Sequence, residues 1–126
     1  MSQTDNVVER YIAIWNETDG GRRRDLIAQT WDDDSSYVDP LFSADGHEGI
    51  DALVAGFQQQ FPEHRFRLSS EIDQHHDRVR FSWELMEPID GLAIVKGTDF
   101  GLVAEDGRLQ RITGFLDQIP AELLAR

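Results

Sequence analysis

The sequence predicts an α+β domain with helices packed on one face of a curved, mostly antiparallel sheet, and two observations carry that expectation. Up to Pro62 the apolar residues recur mainly at helical spacing, and beyond it they alternate with polar ones. The period changes once, so helices precede a run of strands, unlike the repeating strand–helix units of a parallel sheet. Turn-forming clusters at 73–77, 88–91 and 105–107 then divide the alternating half into the short runs of a meander. At 126 residues the chain is read as one domain, 1–126, long enough to bury a core.

The elements follow in order. Thr4 or Asp5 can cap a first helix whose apolar positions are Val7, Val8, Tyr11, Ile12 and Trp15, with Gly20-Gly21 expected to end it. A second short helix carries Leu26, Ile27 and Trp31 and is expected to stop at Asp32-Asp33-Asp34, ahead of a short strand at 35–39. Gly46 and Gly49 are read as bracketing a turn. Ile50, Leu53, Val54, Phe57 and Phe61 then form one face of a third helix that reaches Pro62. Phe66, Leu68, Ser70 and Ile72 share one side of a strand, and 73–77 is read as a turn. Val79, Phe81, Trp83 and Leu85 alternate with Arg78, Arg80, Ser82 and Glu84 in the clearest strand of the chain. A long strand is expected at 92–104, joined by a hairpin to a last one at 108–117.

Composition narrows the function. Twenty-four acidic residues against 12 basic ones leave a net charge of −12, a field that repels nucleic acid and anionic membrane surfaces, so neither partner is expected. The one basic run, Arg22-Arg23-Arg24, is read as a solvated loop. With no cysteine there is neither a disulfide nor a thiolate nucleophile. The polar start is unlike a signal peptide and no apolar run could span a membrane, so a cytoplasmic location is expected. No metal is expected: His47-Glu48 lacks a second histidine one turn on, and the acids from Asp32 lack the glycine and final glutamate of a calcium loop, with Ser43 in the last place.

What remains is a set of carboxylates and a phenol within apolar segments. Asp39 precedes Pro40, which both ends a strand and keeps the aspartate extended. Asp99 stands mid-strand, where aspartate is disfavoured, and shares its face with Gly97 and Gly101; the glycines can leave room for a ligand or mark a bend. Tyr11 lies on the apolar face of the first helix, where a buried hydroxyl needs a partner.

In order and spacing, Val7-Val8-Glu9-Arg10-Tyr11-Ile12-Ala13, Trp31-Asp32-Asp33-Asp34 and Val38-Asp39-Pro40 resemble the opening of bacterial ketosteroid isomerase, and Gly97-Thr98-Asp99-Phe100 and Asp106-Gly107-Arg108-Leu109 resemble its later strands. Over nearly its whole length the chain resembles the nuclear transport factor 2-like superfamily, which includes the SnoaL-like polyketide cyclases. The resemblance implies a cone-shaped, cystatin-like fold: three helices wrapped by a strongly curved sheet around one apolar pocket. It also implies roles. Asp39 would be the general base that moves a proton beside a carbonyl, and Tyr11 and a protonated Asp99 would donate hydrogen bonds to the enolate oxygen. Burial near Val95, Phe81 and Trp83 would keep Asp99 protonated by desolvation.

Pocket walls are expected from Trp15, Phe57, Phe61, Phe81, Trp83, Gly97, Ile112 and Leu116, with Trp15 and Trp83 bulky enough to shrink the cavity below steroid size. An epoxide-opening relative would carry an arginine two residues before the strand acid, where this chain has Gly97. The sequence leaves open whether His47 and Arg111 reach the pocket. The functional expectation is a proton-transfer enzyme without cofactor, an isomerase or cyclase acting on a small hydrophobic carbonyl compound, and a homodimer. The alternative is a domain that only binds a hydrophobic ligand or dimerises.

Overall fold

The computed structural model describes the backbone of residues 3–124 and the side chains of residues 5–122. Helix α1 is Gln3–Asn16. Thr4 and Asp5 sit inside its first turn and not ahead of it as a cap. Its inner face buries Val7, Val8, Tyr11 and Ile14. Gly20 and Gly21 open helix α2 (Gly20–Thr30) instead of ending α1: Asp19 is extended and its carboxylate accepts the N–H groups of Gly21 and Arg22 at 2.9 and 3.1 Å. The cap satisfies donors that have no partner inside the helix, which outweighs the poor helix propensity of two glycines in the first turn.

The basic run lies in this helix and not in a loop. Arg23 is buried, its Nε 2.6 Å from Asp51 and its Nη1 donating to the Glu17 carbonyl at 3.0 Å and the Gln58 side chain at 3.2 Å. A guanidinium held by three acceptors can be buried where an unpaired cation could not.

Strand β1 (Trp31–Val38) begins at Trp31 and contains the three aspartates expected to precede it. Arg108 makes this possible: its Nη atoms lie 3.6 Å from both Asp32 and Asp33 while Nη1 donates to the Trp31 carbonyl at 3.2 Å. Strand β2 (Ser43–Asp45) pairs back on β1, and helix α3 (Gly46–Gln60) follows directly. Gly46 takes the left-handed φ of 72° at the junction, whereas Gly49 lies within α3.

The strand expected from Phe66 to Ile72 stops at Leu68 as β3 (Arg65–Leu68), and a separate β4 (Asp73–His75) forms inside the segment read as a turn; both are antiparallel to β5 (Arg78–Met86). The turn shrinks to His76 and Asp77. Strands β6 (Ala93–Val103) and β7 (Leu109–Gln118) complete the sheet, and a short helix α4 (Ala121–Leu124), absent from the sequence reading, follows.

The sheet order is β2-β1-β7-β6-β5-β3, with β4 also on β5. Among the described strands only β1 with β7 is parallel, so the sheet is mixed, though mostly antiparallel. Three helices lie on this curved sheet as a cone. Alternation along β5 sends Val79, Phe81, Trp83 and Leu85 into the core. No helix among the described residues is long and apolar enough to cross a membrane.

The Arg23 tie joins α2 to α3 and to the end of α1. Arg23→Ala leaves Asp51 with only the more distant Arg24, at 3.7 Å, and the Glu17 carbonyl with only the Gln58 amide, at 2.9 Å, and is expected to lower stability by about 1–3 kcal/mol in urea unfolding. A change within about 0.5 kcal/mol, the usual range at uninvolved surface positions, would show that the tie is dispensable.

Candidate active site

Strand β6 presents Val95, Gly97, Asp99 and Gly101 to the inside by simple alternation. Asp99 is 1% exposed, and both of its oxygens are occupied. Tyr11, reaching across from α1, donates its hydroxyl to Oδ2 at 2.7 Å, and the Trp83 indole donates Nε1–H to Oδ1 at 2.9 Å. The glycines that flank Asp99 make room for side chains of this protein. A Cβ on Gly97 would stand 2.2 Å from the Trp83 ring, and one on Gly101 would stand 2.9 Å from both Ile112 and Val79.

Asp39 follows β1. Pro40 allows the chain to turn, and the turn closes on Asp39: its N–H donates to the Phe42 carbonyl at 2.9 Å, and its Oδ1 accepts the N–H groups of Leu41 and Phe42 at 2.7 and 2.8 Å. Its Oδ2 accepts the hydroxyl of Tyr37. Asp39 is therefore both the punctuation of the strand and a carboxylate fixed in place by three donors.

Asp39 and Asp99 both come up against Gly114 of β7. The position a Cβ would take there is 2.9 Å from Asp99 Oδ1, 3.2 Å from Asp39 Cβ and 3.6 Å from the Tyr37 hydroxyl. Any side chain at this point would part them. Tyr11, Asp39 and Asp99 thus lie around one cavity, with Tyr37 bonded to Asp39 beside them. The sequence reading missed Tyr37, although Tyr37 and Asp39 share a face by the two-residue period.

Burial raises the Asp99 carboxyl from its ordinary value of 3.8 to about 6; the charge of Asp39 adds to this, while the hydrogen bonds from Trp83 and Tyr11 act against it. Burial first, then the neighbouring carboxylate (Asp99 for Tyr11, Asp39 for Tyr37), holds both phenols well above the usual range.

These groups close one end of a cavity of about 230 Å³. Trp15, Phe57, Phe61, Trp83 and Leu116 line it as expected, together with Ile12, Phe66, Leu85, Val95 and Ile119. Leu41 and Phe42 also line it and are 45% and 39% exposed. Three expected wall residues do not line it. Phe81 lies behind Tyr11, ring edge to ring face at 5.6 Å; Gly97 is covered by the Trp83 indole; and Ile112 packs into the space beside Gly101. His47 and Arg111 are not in the wall either: His47 Nε2 lies at the Trp31 and Asp32 carbonyls, and Arg111 faces solvent. No three His, Asp or Glu side chains gather as a metal site among the described residues.

The raised Asp99 value has a thermodynamic consequence. Below the ordinary value both folded and unfolded chains hold this proton; between there and about 6 only the folded chain does, so stability falls as pH rises. The loss is about 3 kcal/mol, complete above about pH 6.5. In urea unfolding at pH 4 and pH 7, Asp99→Asn is expected to lack this component, and identical pH dependence in the two proteins would contradict it. Gly97→Ala is expected to displace the indole, lowering stability by about 1–3 kcal/mol and shifting tryptophan emission to the red; unchanged emission would mean that the ring does not rest on Gly97.

Residues 8–112 match the model of the SnoaL-like domain family. A candidate isomerase of the SnoaL-like family from Agrobacterium tumefaciens strain C58 is 41% identical, with 93% of this chain and 99% of that one covered and a TM-score of 0.88. A SnoaL-like protein from Jannaschia sp. CCS1, described as a candidate polyketide cyclase, shares the fold at 21% identity, covering 98% and 88% of the two chains with a TM-score of 0.74. A nuclear transport factor 2-like protein of unknown function from Exiguobacterium sp. 255-15 does so at 18%, covering 88% and 98%, with a TM-score of 0.70. No curated protein matches the sequence. With the family model spanning most of its length and a near relative matched almost end to end, the chain belongs to the SnoaL-like family, within the nuclear transport factor 2-like fold.

Proposed function

We propose that the protein is a cofactor-independent proton-transfer enzyme that isomerises a small, hydrophobic, unsaturated ketone. One observation carries this reading: two carboxylates of opposed surroundings, Asp39 held in a turn and Asp99 buried between two donors, both come up against Gly114 beside one apolar cavity. Such a pair divides the work of a base and an acid. Asp39 takes a proton from the carbon next to the carbonyl, the C–H electrons move into the carbon–oxygen system, and the same carboxylate returns the proton further along the chain of double bonds. Asp99 in its protonated form donates to the developing enolate oxygen, while Tyr11 and Trp83 hold its carboxyl in place. The relay differs from two donors standing side by side, because the Tyr11 hydroxyl is turned onto Asp99.

The size of the cavity favours a compact substrate. At about 230 Å³ it is smaller than the usual range of about 300–1,000 Å³ for drug-sized ligands. Trp15 and Trp83 occupy space that a larger body would need, so a one- or two-ring ketone fits the reading better than a steroid. The 41% identical Agrobacterium relative is described as a candidate isomerase, which supports the isomerase reading.

The test is the conversion of cyclohex-3-enone and of two-ring β,γ-enones to their conjugated isomers, followed by absorbance. Turnover is expected, with kcat/KM falling as pH rises through about 6. Asp39→Asn is expected to lower kcat about 10²–10⁴-fold while the protein still unfolds in one cooperative urea transition. Binding of these ketones without turnover would replace the enzyme reading with that of a ligand-binding domain.

A further inference from the structure

We propose that the same cavity also takes lipophilic ammonium ions, small amines carrying a one- or two-ring apolar body, as a second class of ligand. Its wall combines carboxylates with a dense set of aromatic rings. Among the described residues that line it, none is lysine, arginine or histidine. The polar side chains are those of Tyr11, Tyr37, Asp39, Asp99 and Gln60, and all but Gln60 lie at the Gly114 end.

Beside them, with Trp83 bonded to Asp99 and Trp15 5.6 Å from the Tyr37 ring, the rings stand at steep angles to one another: Trp15 to Phe57 at 88°, Trp15 to Phe66 at 62° and Phe66 to Trp83 at 76°. A wall of this kind offers ring faces as well as edges, and a ring face attracts a cation. The net charge of −12 adds a field that draws cations towards the protein and disfavours carboxylate or phosphate ligands.

The two ligand classes select opposite forms of one residue. A ketone oxygen accepts a hydrogen bond, which Asp99 can give only while protonated. An ammonium group donates and carries charge, so it favours Asp99 ionised beside Asp39. The groups that face Asp99 are the Tyr11 hydroxyl from α1, the Trp83 indole from β5, and Tyr37 with Asp39 from β1 and the turn after it; β7 presents only Gly114. No lysine, arginine or histidine among the described lining residues competes there. Because the Asp99 carboxyl titrates at about 6, ammonium binding strengthens with pH across that value. An alkyl ammonium keeps its own proton over this range.

A matched pair of probes tests this: 2-aminotetralin and 2-tetralone, which share a skeleton and differ in the charged group. Their affinities for the full chain are measured by calorimetry at pH 5 and pH 8 in 0.15 M salt, with quenching of tryptophan emission as a second readout. The amine is expected to bind about tenfold more tightly at pH 8, the ketone no more tightly there than at pH 5. Asp99→Asn is expected to remove the pH step for the amine; if that variant does not fold, Asp39→Asn is expected to weaken the amine more than the ketone.

Amine affinity that is the same at both pH values, or no amine binding where the ketone binds, overturns the proposal and leaves the isomerase reading standing. Failure of both ligands to bind overturns both readings. Binding is measured without turnover, so a lack of isomerase activity does not bear on the result.

Discussion

A carboxyl group buried between a phenol and an indole is the constraint on which the rest of the site depends. Asp99 lies on a central strand, shielded from water, and receives one hydrogen bond from α1 and one from β5. Those two donors make its burial tolerable without cancelling the penalty of charge, which leaves the group titrating at about 6. The arrangement ties the position of α1 on the sheet to the rotamer of Trp83, and through Gly97 to the absence of any side chain under that ring. The burial of one carboxyl thus fixes several neighbours.

Gly114 has the corresponding role between the strands. Parallel pairing of β1 with β7 brings the end of β1 alongside residues 111–113, and the turn at Pro40 then sets Asp39 over Gly114. The sheet supplies the proximity and the missing Cβ supplies the room. Members of one fold differ in chemistry by such small substitutions. Here the position two before the strand acid is a glycine beneath an indole, so the site presents carboxylates and phenols and no guanidinium.

Much of this was legible in the sequence, for physical reasons that can be named. The two-residue period of β5 and β6 put Val79, Phe81, Trp83 and Leu85 on one face and Asp99 on one face with Gly97 and Gly101. Pro40 marked the end of β1 correctly. The misreadings fall where a distant partner overrides local preference. Asp19 turned two glycines into a helix start, Arg108 offset the charge of two of the three aspartates that join a strand, and Asp51 with Gln58 drew Arg23 into the interior. The glycines beside Asp99 were read as open space or a bend, whereas tertiary packing filled them with Trp83, Ile112 and Val79. Tyr37 went unnoticed because its importance arises only once Asp39 has turned back towards it.

The most direct test of the account is the ionisation of Asp99 itself, read from the ¹³C shift of its labelled carboxyl between pH 3 and 8 in the wild-type protein and in Asp39→Asn. The account predicts a wild-type midpoint near 6 and a lower one in the variant, where the charge of Asp39 is gone. A midpoint close to 4, the ordinary aspartate value, or one that ignores the loss of Asp39, would contradict a coupled pair of carboxylates at Gly114.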